Sequence, residues 1–247
     1  KALGTRKVGH AGTLDPMATG VLVLGFGNGT RLLQYITDGD KSYLATVVLG
    51  AATVTDDQEG EILSEADASL ISDEQIRAGL AKMVGEIQQR PSSVSAVKVG
   101  GERAYDRVRA GEVFELTART ITISSLEVLD IRRVGLRVEI DIDVTCSAGT
   151  FIRAIARDLG SNLHVGGHLS ALRRTRVAGF SLDQAISFEA LKSQEFTALE
   201  IADVARQTFA VRELALDEVS ELSFGRPLTL NSDEEIFAAL SPDNRLI

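Results

Sequence analysis

The chain has 247 residues, and its single cysteine, Cys146, excludes an internal disulfide. No apolar run approaches the length of a membrane span, so we expect a cytoplasmic protein without membrane association. The net charge of −9 argues against a polyanionic partner, but the charge is uneven. Residues 1–35 carry +3, residues 150–180 carry +4 and residues 181–247 carry −8. The locally basic segments are therefore compatible with a polyanionic partner.

Hydrophobic periodicity predicts alternating helices and strands along the chain. Ser72 or Asp73 is a plausible cap for one helix, and the acidic run 56–67 is interpreted as a solvated connection. The predicted elements are, in chain order, a strand at 20–24, a helix at 29–37, a strand at 43–50, a helix at 73–84, a hairpin of 121–132 and 135–146, and a helix at 150–163.

Residues 8–20 read VGHAGTLDPMATG and contain one carboxylate, Asp15. Pro16 fixes its own φ and pushes Asp15 toward an extended backbone, while the glycines allow tight turns and close approach of another molecule. The pattern predicts a shaped loop that presents one acid. An isolated Asp-Pro pair is more often only a turn former, so this string alone does not decide between the two interpretations.

The same string resembles the signature of the TruB family of pseudouridine synthases, in which the aspartate is catalytic. Further segments match that family in the same order, and the resemblance covers residues 4 to about 180. These segments are 41–43 (KSY), 53–60 (TVTDDQEG), 95–98 (SAVK) with 103–105 (RAY), 146–153 (CSAGTFIR) and 167–175 (GHLSALRRT).

The resemblance implies an α+β fold with a mixed, mainly antiparallel sheet and flanking helices. It also implies a catalytic domain at 1–208, with an RNA-contacting insertion called the thumb at about 90–118, and a partial PUA-like β domain at 209–247. From its residues alone, segment 90–118 could equally be an ordinary surface excursion.

The implied activity is isomerisation of uridine 55 in the TΨC loop of tRNA, without cofactor or metal. We expect tRNA as the partner of a monomer that has no obligate protein partner. One rival is the guide-RNA-dependent rRNA synthase of archaea and eukaryotes, which shares the Gly-Thr-Leu-Asp-Pro core but lacks the thumb. Another is an RNA-binding module that has the cleft and no turnover.

By position, the resemblance assigns the catalytic roles to Asp15, Tyr43 and Arg153. An arginine beside an aspartate favours its ionised form, and an arginine at a helix start conflicts with the helix dipole, which favours a functional Arg153. Asp15 could act as nucleophile or as base. Tyr43 could stack on a flipped base or be a strand aromatic of the core. Asp57 resembles the acid that contacts the active-site arginine.

A further set of residues is expected to contact RNA. His168 is interpreted as structural, at the start of a helix, and Phe151 replaces the common tyrosine of the family, so that any hydrogen bond of its hydroxyl must be absent or replaced. The RNA-contacting set is His10, Lys98, Arg103, Tyr105, Arg107, Arg109, Arg173 and Arg174.

Overall fold

The computed structural model describes residues 2–92, 98–99, 102–103, 117–228 and 236–247. The chain divides into two compact units. Unit A consists of residues 12–22 and 38–177, and unit B consists of residues 1–11, 23–37 and 178–247. This division differs from the boundary at residue 208 that the sequence predicted, which stays a prediction.

Strands are the main regular element among the described residues of unit A, and the longest described helix has 11 residues. The helices are α1 (Leu33–Asp38), α2 (Asp73–Ala81), α3 (Ile152–Asn162), α4 (Phe188–Ser193), α5 (Ile201–Thr208) and α6 (Leu216–Ser223). The strands are β1 (Val8–His10), β2 (Thr19–Gly20), β3 (Leu24–Phe26), β4 (Lys41–Leu49), β5 (Ala51–Thr53), β6 (Ile62–Glu65), β7 (Gly85–Gln89), β8 (Lys98–Val99), β9 (Glu102–Arg103), β10 (Arg119–Val134), β11 (Arg137–Cys146), β12 (Gly167–Val177), β13 (Phe180–Ser181), β14 (Ala210–Glu213) and β15 (Phe237–Leu240).

The main sheet of unit A has the order β12-β4-β11-β10-β7, and each of these neighbours is antiparallel. Strand β2 adds to β12 in parallel, so the sheet is mixed and mainly antiparallel, as predicted. The predicted hairpin is formed by β10 and β11, and Gly135 in its turn has a φ of 62°. The α+β fold class is confirmed.

Alternation along the strands builds the core of unit A. In β11, Val138, Ile140, Ile142 and Val144 are each fully buried, while the residues between them are partly exposed. Because successive side chains of a strand point to opposite faces, this pattern directs one face of the sheet into the core. Helix α3 packs against β12 and β4, and it also contacts α2.

Two helices of unit A follow the predictions closely. Helix α2 begins after Ser72, whose hydroxyl accepts from the Gln75 amide in a capping box, and it ends at Ala81 rather than at residue 84. Helix α3 begins at Ile152 and ends at Asn162, within the predicted 150–163. The bounds differ by a few residues at the ends, where the helix is no longer held by its hydrogen bonds.

Three predictions about local structure were wrong. The predicted strand at 20–24 does not form, because the chain leaves β12 after the Val21 amide bonds the Arg174 carbonyl. The acidic run 56–67 is not simply a solvated connection, because Asp56 and Asp57 are buried and β6 pairs with β5. His168 lies inside strand β12, where its Nδ1 lies 2.9 Å from the Ala51 carbonyl oxygen, and not at the start of a helix.

Unit B contains small sheets and short helices. Strands β1 and β3 are antiparallel, and β14 pairs with β15 in parallel, with α6 between them in the chain. The predicted helix at 29–37 is a 3-10 turn over Gly27–Arg31 followed by α1. Within 209–247 the described residues form this β-α-β arrangement, and the PUA-like assignment stays a prediction. None of the helices among the described residues is long and apolar enough to cross a membrane.

Candidate active site

The loop that carries Asp15 is attached to strand β12 within unit A. The Ala18 amide donates to the Asp15 carbonyl at 2.9 Å, which closes a turn around Pro16. Arg174, only 1% exposed, spreads its guanidinium beneath the loop. Its three nitrogens Nε, Nη1 and Nη2 donate to the carbonyls of Val21 at 2.8 Å, Thr13 at 3.0 Å and Gly12 at 3.3 Å.

Gly20 makes this attachment sterically possible. Its φ is 100°, a region that favours glycine, and a Cβ there would lie 2.1 Å from the Arg174 carbonyl oxygen. The main chain of β2 therefore lies directly on the main chain of β12. This close approach explains one glycine of the VGHAGTLDPMATG string.

Arg153 reaches the site from the first turn of α3. Arg153 is 4% exposed. Its helix approaches the start of β12 closely because Gly160 has no side chain: a Cβ there would lie 2.2 Å from the Gly166 carbonyl carbon. Phe151 precedes the helix with an extended backbone and provides no side-chain cap. A positive charge in the first turn is unfavourable because it opposes the helix dipole. Carboxylates outside the helix must therefore compensate the charge of Arg153.

Asp15 and Arg153 form a bidentate ion pair. Arg153 Nε donates to Asp15 Oδ2 at 3.0 Å, and Nη2 donates to Oδ1 at 3.2 Å. The Asp15 side chain remains 31% exposed, whereas that of Arg153 is 5% exposed. The guanidinium thus fixes the orientation of the carboxylate while part of the acid remains accessible.

The second side of Arg153 is held by the turn after β5. Arg153 Nη1 donates to the Thr55 carbonyl at 2.7 Å and to Asp57 Oδ2 at 3.3 Å. The other oxygen of Asp57 accepts from Thr55 Oγ1 at 2.5 Å and from the Glu59 amide at 3.1 Å. The structure therefore brings Asp15, Arg153 and Asp57 together, and adds Thr55, which sequence reasoning did not identify.

Tyr43 lies in β4 opposite Arg174 of β12, and its side chain belongs to the core of unit A. It is 7% exposed, the arrangement of a packed strand aromatic. Burial raises the pKa of Tyr43 to about 12, with Cys146 and Asp15 adding to the rise and Arg174 opposing it. At neutral pH the Tyr43 side chain is therefore a neutral phenol, and the nearby charge of Asp15 contributes to its raised pKa.

The predicted RNA-contacting residues fall into different settings. Arg173 is exposed and donates to Thr19 Oγ1 at 3.3 Å, whereas its neighbour Arg174 is buried against main-chain carbonyls. Arg174 therefore holds the Asp15 loop, and we remove it from the RNA-contacting set. His10 is exposed on β1 of unit B.

Most of the thumb prediction falls outside the part of the chain that the structure describes. Lys98 and Arg103 are backbone partners in the short hairpin of β8 and β9. Tyr105, Arg107 and Arg109 lie outside the described residues. The RNA-contacting role of these five residues stays a prediction.

Phe151, where the family commonly has tyrosine, is held by its main chain and by a cation. The Gln89 side chain bonds both the amide and the carbonyl of Phe151, at 2.8 and 3.0 Å. The Arg119 guanidinium lies 4.7 Å from the centre of the Phe151 ring. Arg119 Nε is buried without a hydrogen-bond partner among the described residues, and burial lowers the pKa of Arg119.

No group of three or more histidine, cysteine, aspartate or glutamate side chains is arranged to hold a metal ion among the residues that the structure describes. The described polar groups of the site include the accessible carboxylate of Asp15, the buried guanidinium of Arg153 with its partners Asp57 and Thr55, and the phenol of Tyr43. Such a set can supply a nucleophile or base, hold its orientation and donate a proton.

Two family models match the chain. Residues 1–152 match the TruB family pseudouridylate synthase N-terminal domain, and residues 153–218 match the tRNA pseudouridylate synthase B C-terminal domain. Among curated relatives, tRNA pseudouridine synthase B of Arthrobacter sp. (strain FB24) is 53% identical over 243 residues, which cover 98% of this chain and 79% of the relative. The protein of the same name from Rhodococcus jostii (strain RHA1) is 50% identical over 248 residues, covering 100% and 81%.

Solved structures resemble the chain in fold. The crystal structure of a Cbf5-Nop10-Gar1 complex contains a chain that matches with a TM-score of 0.71 at 23% identity, over 100% of this chain and 70% of that one. A structure of an H/ACA RNP bound to a substrate RNA containing 2′-deoxyuridine matches with a TM-score of 0.70 at 21% identity, over 100% and 69%. At these identities the likeness concerns the fold alone.

Proposed function

The chain belongs to the TruB family of pseudouridylate synthases, and from this premise we propose that it converts uridine 55 in the TΨC loop of tRNA to pseudouridine. The observation that carries the proposal is the partly exposed Asp15 carboxylate, oriented by two hydrogen bonds from the buried Arg153. Curated relatives with about half of their residues identical carry the name tRNA pseudouridine synthase B.

The reaction is an isomerisation. The bond between uracil N1 and ribose C1′ breaks, the base rotates, a bond forms between C5 and C1′, and the proton on C5 moves to N1. Nothing is oxidised or reduced and no outside group is added. We therefore propose that the reaction proceeds without a cofactor or metal, and we assign its chemistry to side chains.

Asp15 is the group we assign to the reacting ribose. An ionised carboxylate can attack C1′ as a nucleophile, or it can remove a proton from the sugar as the glycosidic bond breaks. Arg153 serves both routes in the same way, because it fixes the carboxylate and compensates its charge in a partly buried site. Asp57 and Thr55 accept further hydrogen bonds from Arg153, which restrict the orientation of the guanidinium.

Reaching the ribose requires that the target uridine leave its stack, at a cost of a few kcal/mol. We propose that Tyr43 contacts the extruded base and that its hydroxyl takes part in moving the proton from C5. A stacked aromatic contributes about 1–3 kcal/mol per base, which offsets much of this cost. Because Tyr43 is 7% exposed, such stacking requires that the surrounding side chains move when RNA binds. His10, by resemblance, fills the gap that the base leaves.

The RNA is held, in this proposal, by basic side chains near the site and in the thumb. Arg173 is exposed on β12, directly beside the strand that ends the Asp15 loop. Single-stranded loops of tRNA present splayed bases that proteins can read, which suits the TΨC loop. The remaining members of the set are Lys98, Arg103, Tyr105, Arg107 and Arg109. We further propose that the protein acts in the cytoplasm as a monomer without an obligate protein partner.

The test uses an unmodified tRNA transcript without guide RNA, with pseudouridine located by carbodiimide-based primer extension. We expect the wild-type protein to modify uridine 55, and Asp15→Asn to abolish the reaction while tRNA affinity stays within about twofold, because the amide keeps the shape but cannot act as base or anionic nucleophile.

A matched control is Asp141→Asn, which changes an aspartate of β11 that pairs with Arg132 and Thr46 in unit A. Its turnover should resemble that of the wild type. Modification only in the presence of guide RNA would instead support the guide-RNA-dependent class of rRNA synthases. Tight tRNA binding without any modification would support an RNA-binding module.

A further inference from the structure

The turn after β5 presents two consecutive aspartates to two arginines of helix α3. Asp57 accepts a hydrogen bond from Arg153. Asp56 accepts one from Arg157, whose Nη1 lies 3.3 Å from Asp56 Oδ2. Arg153 and Arg157 are four residues apart, so they lie on the same face of the helix. The two ion pairs therefore stand side by side along α3.

Asp56 is held in an unusual position. Its φ is 59°, in the left-handed region, and its carbonyl accepts from the Leu169 amide at 3.0 Å. The side chain is 11% exposed. Asparagine and aspartate tolerate this backbone region better than most residues other than glycine, so the residue type at this position fits the conformation of the turn.

Burial of this carboxylate is costly unless cations face it. Desolvation raises the pKa of Asp56, whereas the Ser92 hydroxyl, Arg157 and then Arg153 lower it, and Asp158 raises it slightly. Arg153 therefore acts on the charge of Asp56, in addition to the described hydrogen bonds that it donates to Asp15, Asp57 and Thr55.

Arg157, whose side chain is 27% exposed, makes several further contacts. Its Nε donates to Asp158 Oδ1 at 2.8 Å, its Nη2 to the Arg90 carbonyl at 2.8 Å, and its Nη1 also to the Pro91 carbonyl at 3.4 Å. These contacts fix the guanidinium against the chain that follows β7. An arginine so well anchored keeps its charge beside Asp56 in one place.

We infer that Arg157 is a positioning residue for the reaction. By compensating the charge of Asp56, Arg157 keeps the hydrogen bonds of Arg153 directed to Asp15 and Asp57. Without Arg157, Asp56 is a buried carboxylate without its ion pair, and Arg153, which bonds the neighbouring Thr55 and Asp57, is the other described cation that acts on it. Arg153 then turns partly toward Asp56, and Asp15 loses its fixed orientation. This inference rests on the proposed function for its kinetic consequence only.

The first test compares Arg157→Gln with the wild type in single-turnover reactions at saturating tRNA. A shift of about 1 Å in a reacting group costs up to about 100-fold, so we expect turnover to fall roughly 10- to 100-fold while tRNA affinity is retained. The matched control is Arg133→Gln, because Arg133 also binds an aspartate, Asp73, and a main-chain carbonyl, that of Ile71, in the same unit. Its turnover should be unchanged.

The decisive variant is the double change Arg157→Gln with Asp56→Asn. Asparagine accepts the left-handed backbone and removes the competing charge, so turnover should recover to within about threefold of the wild type. A role of Arg157 in folding alone would leave the double variant as impaired as the single one, and that result would overturn the inference. Asp56→Asn by itself should retain wild-type turnover within about threefold, and a larger loss in a folded protein would also overturn it.

The pH profile gives a second readout. Loss of Arg157 raises the pKa of Asp56 further, because Arg157 is one of the groups that lower it. As pH falls, Asp56 becomes neutral and stops competing for Arg153, so the ratio of Arg157→Gln to wild-type turnover should rise. A ratio that stays constant or falls with acidification contradicts the inference.

A crystal structure of Arg157→Gln separates this inference from the proposed function. We expect an Arg153 nitrogen within hydrogen-bond distance of Asp56, with one of the two bonds to Asp15 lost. If Arg153 keeps both bonds to Asp15, the inference fails even if the enzyme modifies tRNA. If Arg153 moves but wild-type protein never forms pseudouridine, the proposed function fails and the inference about Arg153 stands.

Discussion

Arg153 meets Asp15 side-on, through Nε and Nη2 rather than through its two terminal nitrogens. This leaves Nη1 for the Thr55 carbonyl and Asp57, so one guanidinium joins the Asp15 loop to the turn after β5. The ion pair is therefore part of how the site is assembled as well as how it reacts.

Replacing Arg153 should affect chemistry far more than RNA binding. We expect Arg153→Ala to lower single-turnover rates by roughly 10²–10³-fold, the usual loss for a preorganised charged group, and Arg153→Lys to recover only a small part because it cannot bind in a fork. Arg137→Ala, at an exposed ion pair with Glu65, is the control. Wild-type rates for Arg153→Ala would exclude Arg153 from the site.

Tyr43→Phe tests the hydroxyl apart from the ring. The phenylalanine ring keeps the packing and any stacking face, so we expect tRNA binding to be retained and pseudouridine formation to be lost. Tyr43→Ala should weaken both, because it also leaves a cavity in the core. Binding is measured by filter retention and chemistry by single-turnover assay. Normal turnover of Tyr43→Phe would leave stacking as the residue's only role.

Arg173 and Arg174 are a natural matched pair, since they are adjacent and face opposite sides of β12. Arg174→Ala leaves one buried and two partly buried carbonyls without their donor, so we expect a loss on the order of 3 kcal/mol of unfolding free energy and a severe fall in turnover. Arg173→Ala should leave stability within about 0.5 kcal/mol and weaken tRNA binding. Urea unfolding and affinity measurements distinguish the two, and equal effects on stability would contradict this assignment.

Alkaline pH should destabilise the protein through two buried groups. Burial raises the pKa of Tyr43 from 10.0 to about 12 and that of Cys146 from 9.0 to about 11. Both groups favour the neutral form when folded, so this stability is present below pH 9 and is lost as pH rises toward 12. For each group the loss is roughly 1.4 kcal/mol per pH unit between its unfolded and its folded pKa. Cys146→Ala should flatten the fall of unfolding free energy between pH 9 and 11. An unchanged slope would show that Cys146 does not titrate with unfolding.

Salt dependence tests how an acidic protein holds RNA. If Lys98, Arg107 and Arg109 contact phosphates, changing all three to glutamine should lower tRNA affinity and flatten its dependence on salt, because fewer counterions are released. Chemistry at saturating tRNA should change little. A triple change with the same net charge, Arg133, Arg137 and Lys192 to glutamine, is the control. An identical salt slope for both triple variants would contradict the thumb prediction.

The sequence allowed the pairing of Asp15 with Arg153 to be predicted because both lie in strings that resemble a known family. It did not predict the burial of Asp56 and Asp57. That burial depends on arginines almost one hundred residues later in the chain, and a local acidic run with no such partners would be solvated.

The different roles of Arg173 and Arg174 follow from the alternation of side chains along a strand. In a strand, neighbouring side chains face opposite sides, so one of two adjacent arginines must turn inward when the strand is covered. From the sequence, His168 is placed at the start of a helix, and in a helix two adjacent arginines do not face opposite sides. The bounds of the helices followed more directly, because the Ser72 capping box marks the start of α2 in the sequence itself.

At Gly160, the backbone of α3 lies directly against the main chain of Gly166 and Gly167, where strand β12 begins. No side chain acts as a spacer there. A side chain introduced at Gly160 or Gly167 would push the helix and the strand apart, whereas a substitution elsewhere in the core of unit A would not enter this contact. A programme of directed evolution for heat resistance can exchange the aliphatic residues of β11 for others of similar volume, but it has almost no freedom at these glycines.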